Sequence, residues 1–271
     1  MHQLVIALAA ATAVAAATYS TWSPCGQSML SQINPVAERS RGHRFSVTAG
    51  WYLVGAVLGG ITLGAVMALL AAAASAADLS STGALGIGAV LAVLAAACDS
   101  HVVGFGPPFF RRQVNEGWLV SLRGWVYGLG FGWQVGAGVT TYIMTTAVFL
   151  TIALGALSAS PAAALALGTL FGLARGLAAF SPGRATTVEA LFAFHRRFDA
   201  LAPVVRGAVI FVELGVALVA AGTAWDPLAA AAVAALAGVF VARWLLQRPG
   251  RRADHRADQG VARRDDALVG S

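Results

Sequence analysis

Long uncharged runs alternate with short polar connectors along this chain of 271 residues. The runs fall at about 4–22, 47–76, 80–98, 124–157, 161–180, 207–225 and 227–247. Most match or exceed the roughly 20 apolar residues needed to cross a hydrocarbon core ~30 Å thick. The pattern predicts an all-α fold: a polytopic transmembrane helical bundle of about seven spans, within a range of six to eight. Residues 1–247 are expected to form a single transmembrane domain. Residues 248–271 mix charges without apolar periodicity and read as a disordered basic tail. Span four is too long for a plain crossing: its 34 residues would reach about 51 Å at 1.5 Å per residue. It must tilt strongly, break, or extend past the membrane.

The connectors are of two kinds. Those at 38–44, 99–123 and 181–206 carry arginines, as does the segment from Arg248, whereas 77–79, 158–160 and 226 carry only Asp78 and Asp226. The strict alternation is what the positive-inside rule requires, so the N-terminus is expected outside and the C-terminus in the cytoplasm. No Lys or Arg precedes the first apolar run, which therefore reads as a retained helix rather than a cleaved signal.

Composition strengthens this reading. The chain is 58% hydrophobic and 11% charged, against about 25% charged for an ordinary soluble domain. Its net charge of +6 is accounted for by topology, not by a nucleic-acid partner; the partner expected is the lipid bilayer. All 18 basic residues are arginine, which, with the abundance of Ala and Gly, suggests a GC-rich bacterial source and a cell-membrane location.

Glycine recurs at every fourth position in three spans: Gly124, Gly128, Gly132 and Gly136; Gly168, Gly172 and Gly176; and the pairs Gly55/Gly59 and Gly60/Gly64. Such rows make flat helix faces along which backbones approach closely in lipid. They are expected to be packing seams among spans two, four and five.

Candidate chemistry is sparse. Arg175 and Glu213 are ionisable groups inside spans, where such residues are costly and usually functional or paired. Their equal depth on adjacent spans predicts an ion pair or a shared polar cavity. Gln134, Thr141 and Thr145 fall on nearly one face of span four if it stays helical, a possible solute or ion pathway. Cys25, beside Pro24 at an apparent helix break, and Cys98, at the end of span three, would lie at the same membrane level. No HExxH, CxxC, P-loop or nucleophile elbow is present, so the reading leans away from an enzyme. Neither a metal nor any other cofactor is expected.

The stretch "WSPCG" (Trp22–Gly26), with the helix break there and the glycine-rich fourth span, resembles the cytochrome c biogenesis transmembrane family (CcdA) and the membrane domain of DsbD. More distantly, the arrangement is similar to LysE- and TauE-type exporters. The first resemblance implies an inverted repeat, here about 1–100 and 124–225, and a relay of reducing equivalents from a thioredoxin-like partner. Cys25 matches the family's first cysteine, while the second position falls on Gly136, leaving Cys98 as the possible second thiol. Three functions therefore stand as expectations: a thiol–disulfide relay centred on Cys25 and Cys98; a small-solute or ion permease using Gln134, Thr141, Thr145, Arg175 and Glu213; and a non-catalytic subunit of a membrane complex.

Overall fold

The computed structural model describes residues 2–100, 123–225 and 227–247. The basic connector with Arg111 and Arg112, Asp226 and the tail from residue 248 lie outside the described residues. Ten α-helices follow one another among the described residues, and no strand occurs. They are α1 (His2–Tyr19), α2 (Pro24–Gln32), α3 (Pro35–Ser40), α4 (Phe45–Ala76), α5 (Ser81–Asp99), α6 (Gly124–Gly136), α7 (Ala147–Leu157), α8 (Pro161–Leu177), α9 (Val188–Ala224) and α10 (Pro227–Gln247). Short 3-10 turns continue α1 (Ser20–Trp22) and α8 (Ala178–Arg184).

Five segments are long and apolar enough to cross a membrane: His2–Trp22, Phe45–Ala76, Ser81–Asp99, Pro161–Arg184 and Val188–Ala224. The chain is thus an all-α membrane protein. Seven such helices are not found among the described residues: of span seven only the shorter apolar stretch Ala230–Val239 qualifies, and span four is divided for a physical reason. Residues 137–146 leave the helix, dividing the span into α6 and α7, each too short to cross alone. The break begins at Gly138, whose φ of 71° suits glycine. Within it the Thr140 hydroxyl donates to the Gln134 carbonyl at 2.6 Å, satisfying an acceptor that the lost helical turn leaves open. The expected common helical face of Gln134, Thr141 and Thr145 therefore does not exist.

Span six also differs. Its helix, α9, starts at Val188 rather than near 207 and runs unbroken for 37 residues through Pro203. At about 56 Å it is nearly twice the hydrocarbon thickness, so the arginine-rich segment 188–206 is the helix's own first half rather than a loop. Trp22 packs on this half, stacking on Phe198 with ring centroids 4.1 Å apart and donating its indole N–H to the Phe198 carbonyl at 2.8 Å.

Helix starts carry their caps in the sequence. Ser80, Ser160 and Thr187 accept from backbone N–H groups three residues on. Ser23 does the same for α2, with Pro24 in the first turn. "TWSPCG" is thus a stop followed at once by a new start. The tight connectors turn at Asp78 and Ala159, both with positive φ.

Packing is organised by small residues. Helix α4 lies between α6 and α8, while α1 packs on α7, α8 and α9; α5 lies along α9, and α10 packs on α9. A methyl added at Gly132 would fall on the Tyr52 carbonyl, and one at Gly136 on the Ala56 carbonyl. Gly60 and Gly64 meet Gly168 and Gly172 across the α4–α8 seam, and Gly176 abuts Leu53. Gly128 faces the Thr48 carbonyl, and Gly124 sits under the His43 ring. In lipid, where burial of apolar area gives no net drive, this close backbone approach supplies dispersion contacts instead.

Candidate functional site

Three buried polar centres stand out, and the break in span four touches two of them. At the first, Asp99 closes α5 with only 4% of its surface exposed. Its carboxylate lies at the start of α7, where one oxygen accepts from the Thr146 N–H at 2.8 Å and the Thr146 hydroxyl at 2.6 Å. The other oxygen accepts from the Thr145 hydroxyl. An anion at a helix N-terminus meets unsatisfied N–H groups and the positive end of the dipole. Asp99 thus caps, from a different helix, the half-helix created by the break. The Asp99 backbone carbonyl in turn accepts from Arg206 Nε at 3.0 Å and Nη2 at 2.6 Å, joining α5 to α9.

Glu213 sits on α9, seven residues beyond Arg206, and is completely buried. Its carboxyl faces that of Asp99. Apart from that carboxyl, neither Glu213 oxygen has a hydrogen-bond partner among the described residues.

Arg175 occupies the second centre, on the other side of α1. It is 2% exposed and its guanidinium donates to the Val135 carbonyl at 2.9 Å and the Ser20 carbonyl at 3.1 Å. Phe171 lies beneath it, 5.9 Å from the guanidinium carbon. Both carbonyls belong to helix ends, of α6 and of the turn that closes α1, where the dipole favours a cation. The expected Arg175–Glu213 pair does not form, because α1 stands between the helices that carry them. Tyr52, wholly buried nearby, has a hydroxyl with no partner among the described residues.

The third centre ties α3 to α4 and α6. Glu38, fully buried, accepts from the Thr48 hydroxyl, the Tyr127 hydroxyl and Arg41 Nη1 at 3.0 Å, with His43 Nδ1 at 3.6 Å.

The other predicted site residues are dispersed among these centres. Thr145 belongs to the Asp99 centre; Thr141 is buried in the break, donating to the Gly138 carbonyl at 3.4 Å; Gln134 is half-buried near the end of α6. Cys25 is buried at the start of α2, with Arg175 and Tyr52 as electrostatic neighbours. Cys98 is half-buried on α5, with Asp99 and Glu213 as its neighbours. The thiols thus belong to different centres and form no disulfide.

Sequence reasoning missed Asp99, Glu38 and Arg206 as site residues, having left them in basic connectors. The available signal was the carboxylate immediately after span three together with the Thr145–Thr146 pair opening an apolar run, a capping pattern split across two segments.

The chain is similar to proteins named "Methylamine utilization protein MauF". The match to that of Paracoccus versutus is 29% identical over 175 residues, covering 64% of this chain and 63% of the relative. For Paracoccus denitrificans it is 30% identical over 180 residues, covering 63% and 62%. For Methylophilus methylotrophus it is 30% over 189 residues, covering 64% and 62%. The match spans less than two thirds of these relatives' length. No family model and no solved structure matches the chain.

These relatives overturn the resemblance to CcdA, DsbD and the LysE and TauE exporters, and with it the relay and the permease. The structure supplies physical reasons: the two thiols sit in separate centres, and the residues offered as a pathway do not share one. Nothing in the relatives' names points to a thioredoxin-like partner, and the reading of a complex subunit gains no support from them.

Proposed function

We propose that the chain is a MauF-like multi-pass membrane protein that serves methylamine utilisation. The observation carrying this reading is the similarity, near 30% over more than 160 residues, to proteins of that name from four bacteria. The restoration of growth tests it. In Paracoccus denitrificans lacking its MauF gene, expression of this chain is expected to restore growth on methylamine as sole carbon source. Membrane-inserted, full-length protein with no growth would overturn the reading.

The same proposal includes seven crossings, with α6 and α7 together making one discontinuous span. The N-terminus is then outside and the C-terminus cytoplasmic, an orientation supported by the arginine distribution. Impermeant thiol labelling of single cysteines introduced at Asp78 and Ser160, in a Cys25→Ser/Cys98→Ser background, is expected to mark both from outside; labelling only after lysis would reverse the orientation.

A further inference from the structure

Arg175 is a buried cation whose described partners are all neutral. A guanidinium carries a fixed charge and five N–H donors in a planar fork. Two of those donors go to the Val135 and Ser20 carbonyls. Each carbonyl also accepts a local backbone N–H, from Gly138 and from Ser23. Among the described residues the ion pairs all end on Glu38, and Arg175 has none. Its electrostatic neighbours are Tyr52 and Cys25, not an acid.

A second, independent observation points to the same place. Tyr52 is wholly buried, and its hydroxyl has no hydrogen-bond partner among the described residues. An unpaired buried hydroxyl is costly. The Tyr52 ring meets Phe131 edge to face at 5.9 Å, one helical turn before Val135 on α6. Gly172 and Gly176, which bracket Arg175 on α8, press against Ala56 and Leu53, the α4 residues that follow Tyr52. Guanidinium and hydroxyl therefore belong to one junction of α4, α6 and α8. The first turn of α2, with Cys25, adjoins both and brings the positive end of a helix dipole beside them. The Glu38 centre shows what such a donor set holds. There a tyrosine hydroxyl, a threonine hydroxyl and a guanidinium close on one carboxylate. At Arg175 the tyrosine and the guanidinium recur, and no described residue supplies the acid.

We propose that Arg175 and Tyr52 bind one small anion, held by the guanidinium N–H groups not given to carbonyls and by the Tyr52 hydroxyl. Small carboxylates and halides share this chemistry, a negative charge that accepts N–H and O–H donors. The inference rests on these residues alone and not on the relatives' names.

Equilibrium dialysis of radiolabelled formate and, separately, radiolabelled iodide against the full-length protein in nanodiscs of zwitterionic lipid is the test. Saturable binding of one anion per chain is expected in at least one arm. It should weaken about tenfold or more in Arg175→Gln and about threefold or more in Tyr52→Phe, as for loss of a charged and of a neutral donor to an anion. Arg184→Gln, which removes the same charge from an exposed turn, is expected to leave binding unchanged. Formate alone, iodide alone, or mutual competition each supports the site and identifies the class of ligand. Absence of saturable binding in both arms overturns it, the counter-charge then coming from the chain itself. Binding that is unaltered in Arg175→Gln or in Tyr52→Phe overturns it as well. Should Arg175→Gln fail to fold, Tyr52→Phe decides, since it deletes only a hydroxyl without a partner among the described residues. A thermal midpoint that rises with formate or iodide, but not with bulky gluconate at equal ionic strength, and whose rise shrinks in Tyr52→Phe, supports the site. Equal rises in wild type and Tyr52→Phe, or none in either, sink it.

Discussion

Glu38 and Glu213 are both wholly buried glutamates, and their surroundings are opposite. Glu38 accepts from two hydroxyls and a guanidinium, with an imidazole beside it, and links three helices. Glu213 has only another acid, Asp99, as its side-chain partner among the described residues. Burying a carboxylate is costly unless pairing and hydrogen bonds offset desolvation. At Glu38 the offset is built in, so the residue reads as architecture. At Glu213 only a second carboxyl is at hand, so the residue does little to tie its helix to its neighbours. A buried acid is thus informative less by its presence than by its partners.

Breaking the Glu38 side of this contrast should produce the largest effect. Glu38→Ala strands Arg41, Tyr127 and Thr48, and is expected to cost about 3 kcal/mol, the low end for a broken buried pair. The low end applies because the Arg41 side chain keeps 27% exposure. SDS titration in mixed micelles, followed by tryptophan fluorescence, measures it; an unchanged midpoint would remove Glu38 from the architecture. Arg175→Met comes next. It deletes two charge-assisted hydrogen bonds but relieves a buried charge, for a net loss of about 2 kcal/mol in the same titration. Glu213→Gln should be the smallest, within about 0.5 kcal/mol of wild type or more stable, since no protein donor is orphaned. A loss matching that of Glu38→Ala would erase the distinction between the two glutamates.

The bundle was legible in the sequence because bilayer thickness imposes length and apolarity on each span. The tight turns at Asp78 and Ala159 fall where polar residues interrupt the runs for the same reason. That span four could not cross plainly was legible from its length. Where it broke was not, since Gly138 is one of many glycines and the cap that stabilises the second half comes from Asp99, 47 positions before Thr146. Long-range partners of this kind leave no local trace. The Arg175–Glu213 pair failed similarly: depth along a helix can be counted from sequence, but the interposition of α1 cannot. The "WSPCG" stretch carried real structural information, a stop and a fresh cap, and misled only when one of its residues was given chemistry by resemblance.

Arg175 has a consequence for biosynthesis. It is made 155 residues after Ser20 and 40 after Val135, the carbonyls it joins. Until then the two carbonyls have only their local backbone donors, the Ser23 N–H at 3.1 Å and the Gly138 N–H at 3.2 Å. The junction of α1, α6 and α8 can close only once α8 has been translated.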